Sequence, residues 1–223
     1  MRQPPTLLVI HLALALAVLL SAGCGQSPPP TVNLFRALQV DNLEQIRRHI
    51  AAGTDLNQPD RHGDRPLHLA ARAGQIAILR ELADHGASLV ALDSAGRTPL
   101  ELALSHGKTQ VAALLVELGA PLDAQAMLVT LVRAGVSDRD SVDFLLRRGA
   151  DLNRPDAAGQ TPLHQAVMLG HLETLKRLIA RGADVNRPDG TGRTPLALAR
   201  ALDPKATHTA DIQTALQQSG ARP

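Results

Sequence analysis

The sequence predicts an all-α repeat protein: a solenoid of about six helix-turn-helix units joined by short hairpin loops. The first observation behind this is periodicity. Pro66, Pro99, Pro162 and Pro195 are spaced 33, 63 and 33 apart, and Gly53, Gly86, Gly119, Gly149 and Gly182 are spaced 33, 33, 30 and 33. The second is helical patterning between these landmarks. Leu172, Leu175, Leu178 and Ile179 share one face of a helix, and Glu173, Lys176 and Arg177 share the other. The third is composition. Of 223 residues, 38 are Leu and 35 Ala, whereas the aromatics are only Phe35 and Phe144. Small and branched aliphatics suit close helix-on-helix contacts better than a sandwich of strands.

Each part of the repeat has a physical reason. Gly63-Asp64-Arg65-Pro66-Leu67-His68 aligns with Gly96-Arg97-Thr98-Pro99-Leu100-Glu101, Gly159-Gln160-Thr161-Pro162-Leu163-His164 and Gly192-Arg193-Thr194-Pro195-Leu196-Ala197. A Thr hydroxyl caps the first helix, and the Pro after it takes the first helical position, where a missing N–H costs nothing. Gly74, Gly107 and Gly170 fall where that helix must stop and reverse. Ala70, Ala103, Ala166 and Ala199 recur where two helices must approach closely. One unit has lost three residues together with its Thr-Pro-Leu-His stretch. Its shortened finger is expected to leave a notch in the surface.

The pattern resembles the ankyrin repeat over about 190 residues, with units at approximately 31–60, 61–92, 93–123, 124–153, 154–186 and 187–220. The resemblance implies that His68 and His164 hydrogen-bond neighbouring loops, and that His171 is structural too. The first unit keeps Leu34, Ala37, Leu43 and Gly53 and serves as a polar N-terminal cap. In the last, 203–208 lengthens the turn before a closing helix at 211–218.

Residues 1–23 read as an export signal. Arg2 precedes an apolar run from Leu7 to Leu20, about 21 Å long as a helix at about 1.5 Å per residue, which is short of a membrane span. Leu20-Ser21-Ala22-Gly23-Cys24 resembles the lipobox of bacterial lipoproteins, departing from it in the order of Leu and Ser. The resemblance implies lipidation at Cys24, the only cysteine, and a protein in the bacterial cell envelope. With Gly25 rather than Asp next, sorting to the outer membrane, facing the periplasm, is expected. Residues 24–30, ending Ser27-Pro28-Pro29-Pro30, form an extended tether.

Composition and motifs argue against chemistry. A net charge of +2 without a basic stripe, and the lack of aromatic platforms, speak against nucleic acid. No pair of the nine histidines has the spacing of a helical zinc site, so neither a metal nor another cofactor is expected. Gly107-Lys108-Thr109 lacks the first glycine of a phosphate loop. Asp60, Asp93, Asp156 and Asp189 precede hairpin tips, where Asp bonds its own backbone. No catalytic constellation emerges, so no enzyme and no small-molecule substrate are expected.

The resemblance implies partner binding through hairpin tips and the exposed side of the first helices. The expected contacts are Arg61, His62 and Asp64; Ser94 and Arg97; Gln160; and Arg193 on the tips. On the helices they are Arg72, Ser105, His106, Met168 and Leu169. The expected partner is an envelope or exported protein, which the chain would protect or inhibit. The alternatives are a soluble periplasmic protein, or an enzyme or ligand-binding protein with its site around Met127 to Asp140.

Overall fold

The computed structural model describes residues 28–203 and 208–222, so Cys24, the export signal and residues 204–207 lie outside the described residues. Among the described residues there are twelve helices and no strand. They come in six pairs: α1 (Leu34–Gln39) with α2 (Leu43–Ala51), α3 (Pro66–Ala73) with α4 (Ile76–Asp84), α5 (Pro99–Ser105) with α6 (Thr109–Glu117), α7 (Ala124–Arg133) with α8 (Arg139–Leu146), α9 (Pro162–Met168) with α10 (Leu172–Ala180), and α11 (Pro195–Ala201) with α12 (Thr209–Gln218). Odd-numbered helices stack into one continuous row. Even-numbered helices form a second row, thinnest between α8 and α10. Ala37, Ala70, Ala103, Ala166 and Ala199 are wholly buried between the rows and set their close approach. In unit 4 the equivalent place is Leu131, also buried.

The helices begin as the local chemistry dictates. Thr98 Oγ1 accepts from Glu101 N and Thr194 Oγ1 from Ala197 N, each at 3.2 Å, and Asn33 Oδ1 accepts from Arg36 N at 2.7 Å. The hairpin loops are turns rather than strands. Each finger closes on two backbone bonds. One runs from Asp60 N to Asp64 O, Asp93 N to Arg97 O, Asp156 N to Gln160 O and Asp189 N to Arg193 O; the other runs back to the same aspartate's carbonyl from Gly63, Gly96, Gly159 and Gly192 N, all at 2.8 to 3.0 Å.

Unit 4 differs from the expected three-residue shortening. Its finger segment, from Gly119 to Gly135, is five residues shorter than the 21-residue spacing of the other units, while the turn segment from Gly135 to Gly149 is two longer than their 12. Helix α7 therefore starts at once after Asp123, whose carboxylate caps it by accepting from Ala126 N at 2.9 Å. No finger remains there. The extra turn residues sit at the opposite end, where Ser137 O accepts from Arg177 Nε at 3.1 Å and Arg133 O pairs with His171 Nε2 at 3.2 Å. A two-pronged Arg181–Asp143 ion pair, at 2.5 and 2.8 Å, spans the thin place between α8 and α10.

A ladder of side-chain amides fastens each finger stem to the next unit. Asn57 Nδ2 donates to Gly86 O and its Oδ1 accepts from Ser88 N; Asn153 Oδ1 accepts from Asp184 N; Asn186 bonds Gly220 O and Arg222 N. Between units 4 and 5 Gln125 does the same work, bonding Asp151 N and O. The rung is missing at the junction of units 3 and 4. Val90 stands in the Asn place, and Pro121 occupies the position whose N–H the amide would have met.

Candidate partner-binding surface

The fingers are held by their own aspartates. Asp60 Oδ1 accepts from His62 N and Asp64 N, Asp93 from Ala95 N and Arg97 N, Asp156 from Ala158 N and Gln160 N, and Asp189 from Thr191 N and Arg193 N, all at 2.8 to 3.0 Å. Bonds from the Thr191 hydroxyl and the Arg193 amide hold the Asp189 carboxyl well below the usual carboxylate range. For Asp93 burial pushes upward, but the Arg97 and Ala95 bonds and the Arg97 charge outweigh it, and the net shift is down.

His68 and His164 reach across to the next finger, as expected. His68 Nε2 pairs with Arg97 O at 3.0 Å and His164 Nε2 with Arg193 O at 3.2 Å. Both rings are buried, and burial, opposed by those carbonyl bonds, lowers their pKa below the ordinary 6.5. The two differ at Nδ1. His164 Nδ1 accepts from Thr161 N at 3.2 Å and lies 2.9 Å from the Thr161 hydroxyl, whereas His68 Nδ1 has no partner because Arg65 replaces the threonine.

The expected contact residues divide into free and engaged. Arg61 and His62 are exposed on the finger of unit 2, with Arg61 Nε donating to His62 Nε2 at 2.9 Å. Asp64 is only 7% exposed and pairs with Arg72 Nη1 at 2.9 Å, so it braces its own unit rather than facing outward. Arg97 and Arg193 are committed to Asp93 and Asp189, at 2.8 and 3.2 Å. Ser105 Oγ donates to Glu101 O at 2.8 Å, and His106 Nδ1 pairs with Leu102 O at 2.9 Å. Ser94 lies tip to tip with Gly63, its Cβ 2.8 Å from where a Cβ on Gly63 would stand. Gln160 Nε2 points at Met168 Sδ, 3.5 Å away. Met168 and Leu169 are 39% and 48% exposed, so neither is absorbed by packing against unit 6. Val90 and Leu92, not anticipated as contacts, are 55% and 53% exposed. They replace the Asn-x-Pro of the other finger stems, and that local departure is a signal the sequence carries.

Two depressions dominate the finger side, and both arise where a unit has no finger. Among the described residues, 28–33 run straight into α1, leaving a cavity of about 590 Å³ between α1 and the finger of unit 2, lined by Asn33, Phe35, Arg36, Gln39, Arg61 and His62 among others. An adjoining recess of about 290 Å³ shares Phe35, Gln39 and His62 and continues over Leu38, Leu69 and Ala73. In unit 4 a cavity of about 470 Å³ lies between α7 and the finger of unit 5, lined by Asp123, Gln125, Ala126, Val129, Thr130 and Arg154 among others. The notch thus spans residues 123–130 and 154–160, not 127–140, because α7 gained an N-terminal turn where the finger was lost. In repeat alignment Phe35 and Val129 occupy the place of His68 and His164: without that histidine, the side chain lines the depression instead.

Stacked helix pairs with turn-like fingers and open recesses on the finger side define a repeat scaffold of the kind that presents a surface to other proteins. The family profile for ankyrin repeats in three copies matches residues 34–126 and 128–209, and the chain belongs to the ankyrin-repeat family. It is similar to inversin of Canis lupus familiaris, 29% identical over 60% of this chain and 13% of that protein. It is also similar to a transient receptor potential cation channel subfamily A member 1 homolog of Caenorhabditis elegans, 31% identical over 67% of this chain and 12% of the other. The chain therefore spans a small part of these relatives' length. Among solved structures, the ankyrin repeat domain of Bcl-3 superposes with a TM-score of 0.59 at 27% identity, covering 87% of this chain and 89% of that one. The human ASB11 domain gives 0.58 at 25%, covering 86% and 85%.

Proposed function

We propose that the chain is a non-enzymatic binding module, carried in the bacterial envelope by a lipid on Cys24, which engages an envelope or exported protein through its finger side and protects or inhibits it. The observation that carries the binding reading is the pair of open depressions beside α1 and α7, bordered by exposed side chains such as Arg36, Arg61 and Thr130, on a fold whose relatives are generally protein interaction modules. The anchoring reading rests on the sequence around Cys24, with acyl chains contributing about 0.8 kcal/mol per buried methylene. Affinity capture from envelope fractions tests the first part: wild type retains a partner, and variants with Met168→Ala and Leu169→Ala retain less of it at an unchanged melting temperature. Cys24→Ser tests the second, with expected release from the membrane fraction and loss of labelling by a radioactive fatty acid. Unchanged membrane retention of that variant refutes the anchor.

A further inference from the structure

The depression at unit 1 differs in charge from the one at unit 4: it is lined by Arg36 and Arg61 with the single carboxylate Asp60, whereas the other is lined by Arg154 with Asp123 and Asp156. Asp60, which borders it, is occupied by two backbone amides, and Asp64 by Arg72. Among the described residues Arg36 and Arg61 have no carboxylate partner: Arg36 Nη1 donates to Gln39 Oε1 at 3.5 Å, and Arg61 Nε to His62 Nε2. No Asp or Glu occurs in the sequence before Asp41. The tip of this finger is also the one built from long side chains. Where Arg61 and His62 stand, the other fingers carry Ser94 and Ala95, Ala157 and Ala158, or Gly190 and Thr191, and those small tips pack against neighbours. On the helix side, Arg36 takes the place that is Leu69, Leu102 and Leu198 in units 2, 3 and 6 and the uncharged Thr130 and Gln165 in units 4 and 5. Behind these cations lies an apolar floor of Phe35, Leu38 and Leu69.

We propose that this depression is a recognition site for an acidic segment of a partner protein, with a carboxylate engaging Arg36 and Arg61 and an adjacent aliphatic side chain resting on Phe35 and Leu69. Charge complementarity selects the carboxylate, since both local acids are already engaged and two guanidinium groups are not. The floor and the concave shape select a peptide over a bilayer, whose flat surface would meet the finger tips first. The inference rests on the reading of the chain as a binding module and specifies where and what it binds.

The test is fluorescence anisotropy with the full chain in detergent and a short labelled peptide alternating Glu and Leu, against the same peptide with Gln for Glu. The Glu peptide is expected to bind, more weakly as salt rises, and the Gln peptide to bind about tenfold more weakly. Arg36→Glu with Arg61→Glu is expected to cost at least about tenfold, while Thr130→Glu with Ala157→Glu at unit 4 costs nothing measurable. Both arginines are exposed, so melting temperature is expected to hold; should the charge reversal lower it, Arg36→Gln with Arg61→Gln is measured instead. Equal binding of the two peptides, or unchanged binding by the arginine variant, overturns the proposal. So does binding to phosphatidylglycerol vesicles in place of the peptide, which would assign the site to a membrane surface. A captured partner retained equally by wild type and arginine variant leaves the binding-module reading standing and removes this one. Failure of both to capture any protein removes the module reading while the peptide measurement still decides the site.

Discussion

Among the described residues units 1 and 4 each lack a finger, and each exposes the side of its first helix to the finger of the next unit. The lining then diverges place by place: Phe35 against Val129, Arg36 against Thr130, and a tip of Arg61 and His62 against one of Ala157 and Ala158. One recess is left with unpaired cations over an aromatic floor. In the other, one arginine, Arg154, is outnumbered by two carboxylates, Asp123 used as a helix cap and Asp156 holding its own turn and bonding Gln165, and the floor is aliphatic. The lesson is that deleting a finger creates a vacancy of fixed geometry, and that its chemistry is then free to vary because the solenoid no longer needs those side chains for stacking.

If that is so, the fingered junctions should be the energetically demanding ones. Gly159 sits at φ +74°, and a Cβ there would lie 2.3 Å from Gly190 N, where the fingers of units 5 and 6 are joined by a bond from Gly190 N to Ala158 O. Gly159→Val is expected to cost about 3 kcal/mol, from clash and left-handed strain together. Ala126→Val, on the open wall of the unit 4 recess, should stay within about 0.5 kcal/mol. Urea unfolding midpoints measure both. Equal effects would show that tip packing does not separate the two kinds of junction.

The amide ladder gives a second, smaller contrast. Asn57→Ala removes two cross-unit hydrogen bonds and leaves the Ser88 N–H without its partner, an expected loss of about 1–2 kcal/mol. Val90→Ala at the equivalent place of unit 3 trims a side chain already more than half exposed and should cost under about 0.5 kcal/mol. A large loss at Val90 would mean that this stem packs against unit 4 in place of the missing amide rung.

The periodic elements of the fold were legible because their causes are local. Pro at the first helical turn, Gly after the second helix and Asp before each tip act within a few residues, so six helix pairs follow from spacing, and the roles of His68 and His164 from the ankyrin resemblance that this spacing carries. Unit 4 was legible only in its net change. A loss of five residues at one end and a gain of two at the other leave the same count as a simple loss of three, and only the position of Gly135 separates them. The pairing of Asp64 with Arg72 was not legible for a related reason. Asp64 stands where Arg97 and Arg193 stand, so the finger's usual internal ion pair cannot form, and the partner is found instead on α3, eight residues away. Arg36 was missed because α1 lacks the Thr-Pro-Leu-His landmark. Alignment on Leu34 and Ala37 places this arginine in a column that is uncharged in all five other units.

The subtlest contrast lies between the two histidines that brace the fingers following units 2 and 5. Both have folded-state pKa values lowered by burial, so as pH falls through about 6.5 the unfolded chain takes up protons first, and stability is lost between 6.5 and the lowered native values. Above 6.5 their contribution is fully present; below the native pKa values no further loss accrues from them. The finger carboxylates act lower. Asp93 and Asp189, depressed by their turn bonds, contribute stability that is present above 3.8 and is lost as pH falls toward their native values. Protonation has different consequences at the two rings. At His164 it puts a proton on the Nδ1 that accepts from Thr161, so the cap of α9 is broken; at His68 that nitrogen has no partner to lose. In melting temperatures followed from pH 7 to 5, His164→Gln should therefore flatten the acid slope more than His68→Gln does. Equal flattening would mean that burial alone sets the sensitivity and that the Thr161 contact contributes nothing to it.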